Sequence, residues 1–305
     1  MNKKHAGTRV CLLVTFFAAI AFTGCRSGSN KASQEELKVN IPENTGIYDD
    51  IKQAEKIFNA LPSPIESAML LKAAGAEFDA SLLNPVDNAG RYVSNKSMAL
   101  NLGIYTCDLS VASLYEQTQL IINYMNSAKK MADGLGILDA IDQSTINRLE
   151  ENINNNEVIM EIVSETFLNS NSYLEDNGQP AIAAMTLVGG WLEGLYISTR
   201  LVDMNNFNGD KIASRIIDQK LSLDILINLL GSNQGDPAID ELIAQVNKLK
   251  AVFDKVTITA SPVSTELDNA SNSTILKSEA KTDMTPEVFK ELASTVNEIR
   301  NSFIK

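Results

Sequence analysis

The chain of 305 residues carries 38 acidic against 26 basic side chains, a formal net charge of −12, with three cysteines and one histidine, His5. That acidity disfavours nucleic acid and anionic headgroups as partners, although scattered surface carboxylates do not identify a cationic ligand. One imidazole at the very start of the chain leaves histidine-based chemistry dependent on whether that segment is retained.

Lys3, Lys4 and Arg9 precede an apolar run from Val10 to Phe22 that is too short to span a bilayer comfortably, and Ala21-Phe22-Thr23-Gly24-Cys25 follows. The arrangement resembles a bacterial lipoprotein signal with its lipobox. It implies a signal peptide over 1–24, cleavage before Cys25, and palmitate-type acylation of the Cys25 thiol, each buried methylene adding roughly 0.8 kcal/mol of membrane affinity. An ordinary secretory signal with a chance cysteine fits less well with Gly24 directly before Cys25.

The expected mature chain contains neither His5 nor Cys11, and loss of Lys3, Lys4 and Arg9 takes its net charge from −12 to −15. Without imidazole it cannot build an intrachain Ser-His-Asp or Cys-His engine, a histidine zinc site, or histidine-ligated haem. No metal or cofactor is therefore expected. Cys107 is left as the lone free thiol, so no disulfide forms within one chain. It reads as a small apolar core residue, because no histidine or CxxC pattern activates it. In lipoproteins generally, aspartate after the modified cysteine favours inner-membrane retention. Arg26 departs from that, which points to the outer membrane with a domain facing the periplasm, and the missing acidic cluster gives little support for surface export.

Residues 25–45 are polar, without apolar periodicity, and read as the lipidated cysteine and a flexible tether spanning on the order of 25 Å. A helical domain over 46–256 begins with Ile47 to Leu61, where Ile47, Ile51, Ala54 and Phe58 share a face. In Pro62-Ser63-Pro64-Ile65-Glu66, Ser63 suits an N-cap and Glu66 a capping box, opening a helix that ends near Gly75. A short helix or turn through Phe78 and Leu82 and a loop at Asn84-Pro85 follow.

From Ser97 to about Ala132 the apolar residues keep helical spacing despite Gly103 and a break signal at Asp108, as one helix or two. A second stripe runs from Ile146 to Leu174, with Asn154-Asn155-Asn156 as an interruption or bend, and stops at Asp176-Asn177-Gly178. Pro180 opens the most apolar stretch, Ala181 to Leu192. Glu193 interrupts it before a bilayer's width is reached, so a buried central helix is favoured over a membrane span, with Gly189, Gly190 and Gly194 permitting close approach. Amphipathic helices are predicted over Asp210–Leu230 and Asp236–Val256. The Ser/Thr-rich stretch 257–284 reads as a flexible connection, with a small hairpin as the alternative. A last helix, 285–305, begins at Thr285-Pro286 and packs on the domain through Val288, Leu292, Val296, Ile299 and Phe303. The sum is an all-α fold, an irregular antiparallel helical bundle of about eight helices, with solenoid-like packing as the alternative.

Candidate chemistry is sparse. Asp203 to Asp210 suggests a calcium loop, but placing Gly209 at the sixth position puts Met204 first and Arg215 twelfth, so a polar turn capped by Asp210 fits better. Gly189-Gly190 lacks a phosphate-binding pattern. Carboxylate-only acid–base catalysis makes Glu193, with Trp191 and Tyr196 nearby, the residue to inspect, and Asp108 with Tyr105 the second centre of a speculative pocket. No catalytic role is assigned to either acid.

The runs Leu61-Pro-Ser-Pro-Ile-Glu-Ser-Ala-Met-Leu-Leu-Lys, Ala99-Leu-Asn-Leu-Gly-Ile-Tyr-Thr-Cys-Asp-Leu and Gly178-Gln-Pro-Ala-Ile-Ala-Ala-Met-Thr-Leu-Val-Gly-Gly-Trp-Leu-Glu look like those of uncharacterised helical lipoproteins of Bacteroidota-type bacteria. The resemblance spans Leu61 to Leu230 and transfers no activity. The expectation is a lipid-anchored envelope protein, held to the membrane by acyl chains on Cys25, that binds a protein or envelope component on a bundle face. A carboxylate-dependent hydrolase or small-ligand binder with an interhelical pocket is the alternative.

Overall fold

The computed structural model describes residues 64–73, 75–138, 141, 143–260, 264–268, 273–277 and 280–305, and among these described residues the apolar side chains recurring every three or four positions fall on nine α-helices. The leader, Cys25, the tether, the helix expected over Ile47–Leu61 and the cap expected at Ser63 lie outside the described residues. The helices are α1 (Pro64–Ala73), α2 (Asn95–Leu114), α3 (Thr118–Gly134), α4 (Gln143–Glu151), α5 (Asn156–Asp176), α6 (Pro180–Leu201), α7 (Lys211–Gly231), α8 (Pro237–Phe253) and α9 (Pro286–Phe303). Together they form an irregular all-α bundle.

Helix boundaries follow local chemistry. Asp210, Asp236 and Thr285 accept backbone N–H bonds at the starts of α7, α8 and α9, and Pro237 and Pro286 occupy first-turn positions where no donor is lost. Gly75, Gly136 and Gly178 adopt positive φ just past the ends of α1, α3 and α5. Asn155 caps α5, so the asparagine run separates two helices.

The stripe from Ser97 to Ala132 is likewise two helices, but it does not break at Asp108. Asp108 lies inside α2, and the chain turns at Tyr115–Gln117, where Glu116 holds φ 61°. There the Glu116 N–H donates to Ser113 O and the Gln117 N–H to Ala112 O, a Schellman arrangement with glutamate where glycine is usual. The hairpin this makes is antiparallel: Gly134 lies against Met98, and Tyr124 against Tyr105 at 6.0 Å between ring centroids.

α7, α8 and α9 also run antiparallel in turn. Lys250 pairs with Asp224 at 3.2 Å, and Lys248 with Glu298 at 3.4 Å while Gln245 donates to Ser302. Such exposed pairs fix register more than they stabilise.

The segment between α8 and α9 differs from the flexible connection expected for 257–284. Strands β1 (Thr257–Ala260) and β4 (Ala280–Asp283) pair antiparallel from Thr257↔Asp283, and β2 (Ser264–Asp268) pairs with β3 (Ser273–Lys277) from Ser264↔Lys277. Thr257-Ile258-Thr259 and Thr274-Ile275-Leu276 supply β-branched residues suited to extended backbone.

The core centres on α2 and α6. From Met98 to Leu114 every residue of α2 is buried, and α6 is buried from Ala183 to Ile197. α6 is long and apolar enough to cross a bilayer by length and composition, but 83% of its most apolar window is buried inside the bundle. Glycines set the separation of the two helices: a Cβ on Gly103 would lie 2.0 Å from Thr186 O, and one on Gly189 would lie 2.0 Å from Leu100 O. Backbone therefore touches backbone at this crossing.

Candidate functional site

Two carboxyl groups on the core helices are shut away from solvent. Glu193, on α6, and Asp108, on α2, are both 0% exposed, and the counter-charge comes from Arg300 near the end of α9, only 5% exposed. The Arg300 Nε donates to Glu193 Oε2 at 2.9 Å and its Nη2 to Oε1 at 2.7 Å, a two-pronged guanidinium–carboxylate contact. Nη2 also donates to Leu82 O at 3.2 Å, and the guanidinium lies 4.3 Å from the centroid of the Tyr196 ring.

Asp108 completes the cluster. Its Oδ2 accepts the backbone N–H of Asn84 at 3.0 Å, whereas Oδ1 finds no donor among the described residues. Glu193 is near enough for its negative charge to act on Asp108. Burial, and then the negative charge of Glu193, push the Asp108 carboxyl well above the usual aspartate range. Burial pushes Glu193 up as well, opposed by Arg300, whose two hydrogen bonds select the ionised form of Glu193. These directions favour a protonated Asp108 beside the Glu193–Arg300 ion pair.

Around it the polar groups are occupied. Asn84 Nδ2 donates to Asn101 Oδ1 and to the Tyr92 hydroxyl, each at 3.1 Å, and Asn101 Nδ2 donates to Phe303 O at 2.9 Å. The Tyr92 hydroxyl donates to Ile304 O at 3.2 Å, and that of Tyr105 to Pro85 O at 3.1 Å. Burial raises Tyr105 far above the ordinary phenol range. The network fastens the 79–92 segment and the last turn of α9 onto α2. Its architecture is that of a structural rivet.

The five residues of the speculative pocket are therefore not the lining of one cavity. Tyr105, Asp108, Glu193 and Tyr196 converge on the buried cluster, and both Glu193 oxygens are taken by Arg300. Trp191 faces another way, its Nε1 donating to Gln219 Oε1 at 3.1 Å beside α7. Helical geometry explains the split, because helix positions two apart, such as Trp191 and Glu193, point to different sides. Arg300 was the missing member. It falls four residues after Val296 on the buried stripe of α9, a charge on an apolar face, which is the signal that identifies it.

Because the fold raises the Asp108 pKa above its unfolded value near 4, its contribution to stability is fully present below about pH 4 and is lost as pH rises through its folded pKa. Asp108→Asn keeps an acceptor for Asn84 and a donor for Glu193 but cannot ionise. Urea unfolding from pH 5 to 8 is expected to show the wild type losing up to about 1.4 kcal/mol per pH unit relative to this variant. Parallel stability curves would mean that Asp108 is ionised in the fold.

Two other sequence features have structural roles. Cys107 is fully buried and burial raises its thiol, which keeps it inert. At the expected polar turn, Asp210 accepts the Ala213 N–H at 2.8 Å through Oδ1 and the Asp203 N–H at 2.9 Å through Oδ2, so its carboxylate is committed to capping α7.

An opening into the domain lies elsewhere. A cavity of about 100 Å³ sits among α2, α3, α4, α5 and α6, walled by residues such as Leu102, Leu109, Val163 and Phe167. Ser170 and Asn171 are on its lining, and Ser170 Oγ and Asn171 Oδ1 are buried without a hydrogen-bond partner among the described residues. The exposed residues Asn126, Lys129 and Glu150 stand at its solvent side. Nothing in the sequence stripes marked this site, because each lining residue reads as ordinary core or surface of its own helix. No protein-family model, curated protein or solved structure matches the chain, so the chemistry of both sites is read from its own residues.

Proposed function

We propose that this protein is a lipid-tethered, non-catalytic binding protein of the bacterial cell envelope, attached through acyl chains on Cys25, with its helical domain facing the periplasm from the outer membrane. The observation that supports the non-catalytic reading is the grip of Arg300 on both oxygens of the wholly buried Glu193. A general acid or nucleophile must reach its substrate, and a carboxylate held on both oxygens inside a core does not. The lipobox-like Ala21-Phe22-Thr23-Gly24-Cys25 motivates the anchor.

The binding reading rests on the interhelical cavity more than on a protein-docking patch. The exposed large apolar residues Met69, Val93, Leu168, Met204 and Leu221 are distributed over separate elements, and single exposed apolar side chains are ordinary. Intact-mass analysis of protein extracted from its native envelope is expected to give a chain starting at Cys25 and carrying fatty acyl groups. A chain retaining residues 1–24 would overturn the anchor. Hydrolysis of chromogenic glycosides by the purified protein, abolished by Asp108→Asn, would overturn the non-catalytic half.

A further inference from the structure

We infer that the cavity among α2, α3, α4, α5 and α6 is a binding site for a small, mostly apolar molecule bearing a hydroxyl group, with Ser170 and Asn171 as the residues that select the hydroxyl. This goes beyond the anchor and the buried acid cluster, and it rests on the binding reading alone.

Size comes first. A cavity of about 150 Å³ lined by aliphatic and aromatic side chains takes benzene; this one measures about 100 Å³. That volume admits a ligand of about four to six non-hydrogen atoms.

The polar atoms define the rest. Asn171 Nδ2 donates to Phe167 O at 2.9 Å, which fixes the amide orientation and leaves Oδ1 as an acceptor with no donor among the described residues. Ser170 Oγ has no partner there either, although serines in this position of a helix commonly bond the preceding turn. Adjacent on α5, they offer one acceptor and one group that can donate. A ligand hydroxyl answers both at once, giving its proton to Asn171 Oδ1 and accepting from Ser170. A carboxylate brings no proton for Asn171, and an alkane leaves both groups unpaired in an apolar wall. Thr106, Thr166 and Thr186 also line the cavity, but each hydroxyl already donates to the carbonyl four residues earlier. The selectivity therefore falls on Ser170 and Asn171.

Met125 lines the cavity and supplies the reporter. The full chain carrying Cys25→Ser, so that no acyl group competes, is labelled at its methionine methyls and titrated with 1-pentanol, pentane and pentanoate. A saturable shift of the Met125 methyl is expected with 1-pentanol, with binding at least tenfold tighter than that of pentane or pentanoate. Ser170→Ala with Asn171→Leu should remove that tenfold preference while leaving pentane binding in place. Ala128→Phe, which fills the cavity from α3, should abolish all three shifts while the other methionine methyls report an intact bundle. Equal affinity for the three probes, a shift that never saturates, or pentanol binding that survives Ala128→Phe would overturn the assignment. Failure of acylation at Cys25 would leave it standing.

Discussion

Glu193→Leu is expected to destabilise the domain by about 3–5 kcal/mol, because it strands the Arg300 guanidinium in the core without its carboxylate. For a chain of this size that lowers the thermal midpoint by roughly 6–20 °C. Arg300→Met should cost a similar amount at pH 8, but through a different ion. It leaves Glu193 beside Asp108 with no cation, and Glu193 responds by holding a proton. Its folded pKa rises, so the stability of Arg300→Met is fully present below the unfolded glutamate pKa near 4.3 and is lost as pH rises through the folded value. The penalty of Glu193→Leu, by contrast, should shrink as pH rises, since Asp108, freed of the Glu193 charge and left beside Arg300, ionises more readily and the variant loses less stability with pH than the wild type. The double variant removes both charges together, and apolar replacements of buried ion pairs are often close to neutral. Urea unfolding of the four proteins at pH 5 and pH 8 checks this. Losses in the double variant equal to the sum of the single losses would show that the two side chains stabilise the bundle independently rather than as a pair.

The helices were legible because their signals are local. Asp210, Asp236-Pro237 and Thr285-Pro286 announce helix starts within four residues, and Gly178 announces a stop through its own backbone freedom. The turn at Glu116 was not, since its left-handed conformation is held by bonds back to Ala112 and Ser113 in a residue that gives no turn signal. The two short ladders between α8 and α9 were underestimated for a related reason: their Thr, Ile and Leu residues read as weak strands singly, and pairing is a property of two segments. Glu193 and Asp108 stood out as acids within apolar helices, so two of the three charged-type members of the buried cluster were visible. Its meaning was not, because Arg300 lies 107 residues beyond Glu193 and only packing brings them together. The cavity is the extreme case. Five helices each contribute an unremarkable face, and the opening exists in none of them alone.

Gly103→Ala should be among the most damaging single-atom-scale changes in the protein, costing about 3 kcal/mol or more. The added methyl would sit 2.0 Å from Thr186 O and 2.5 Å from Gly190 N, both backbone atoms of α6 that no rotamer change can move. Gly189→Ala meets Leu100 O at 2.0 Å from the other side and should cost as much. Gly231→Ala is the control: nothing lies within 4 Å of its Cβ position at the end of α7, and its change should stay within about 1 kcal/mol. The intrinsic helix preference of alanine over glycine favours all three substitutions, so opposite signs across the set isolate the backbone clash. Gly103 and Gly189 share one crossing, hence Gly103→Ala combined with Gly189→Ala should cost less than the two singles together, as the separation forced by one methyl makes room for the other. Widening this crossing also draws Asp108 on α2 away from Glu193 on α6, so any folded Gly103→Ala protein should lose part of the pH slope that Asp108→Asn removes. A thermal midpoint equal to that of wild type would show that α2 and α6 can part without cost, and the close approach would then not be what positions the acid pair.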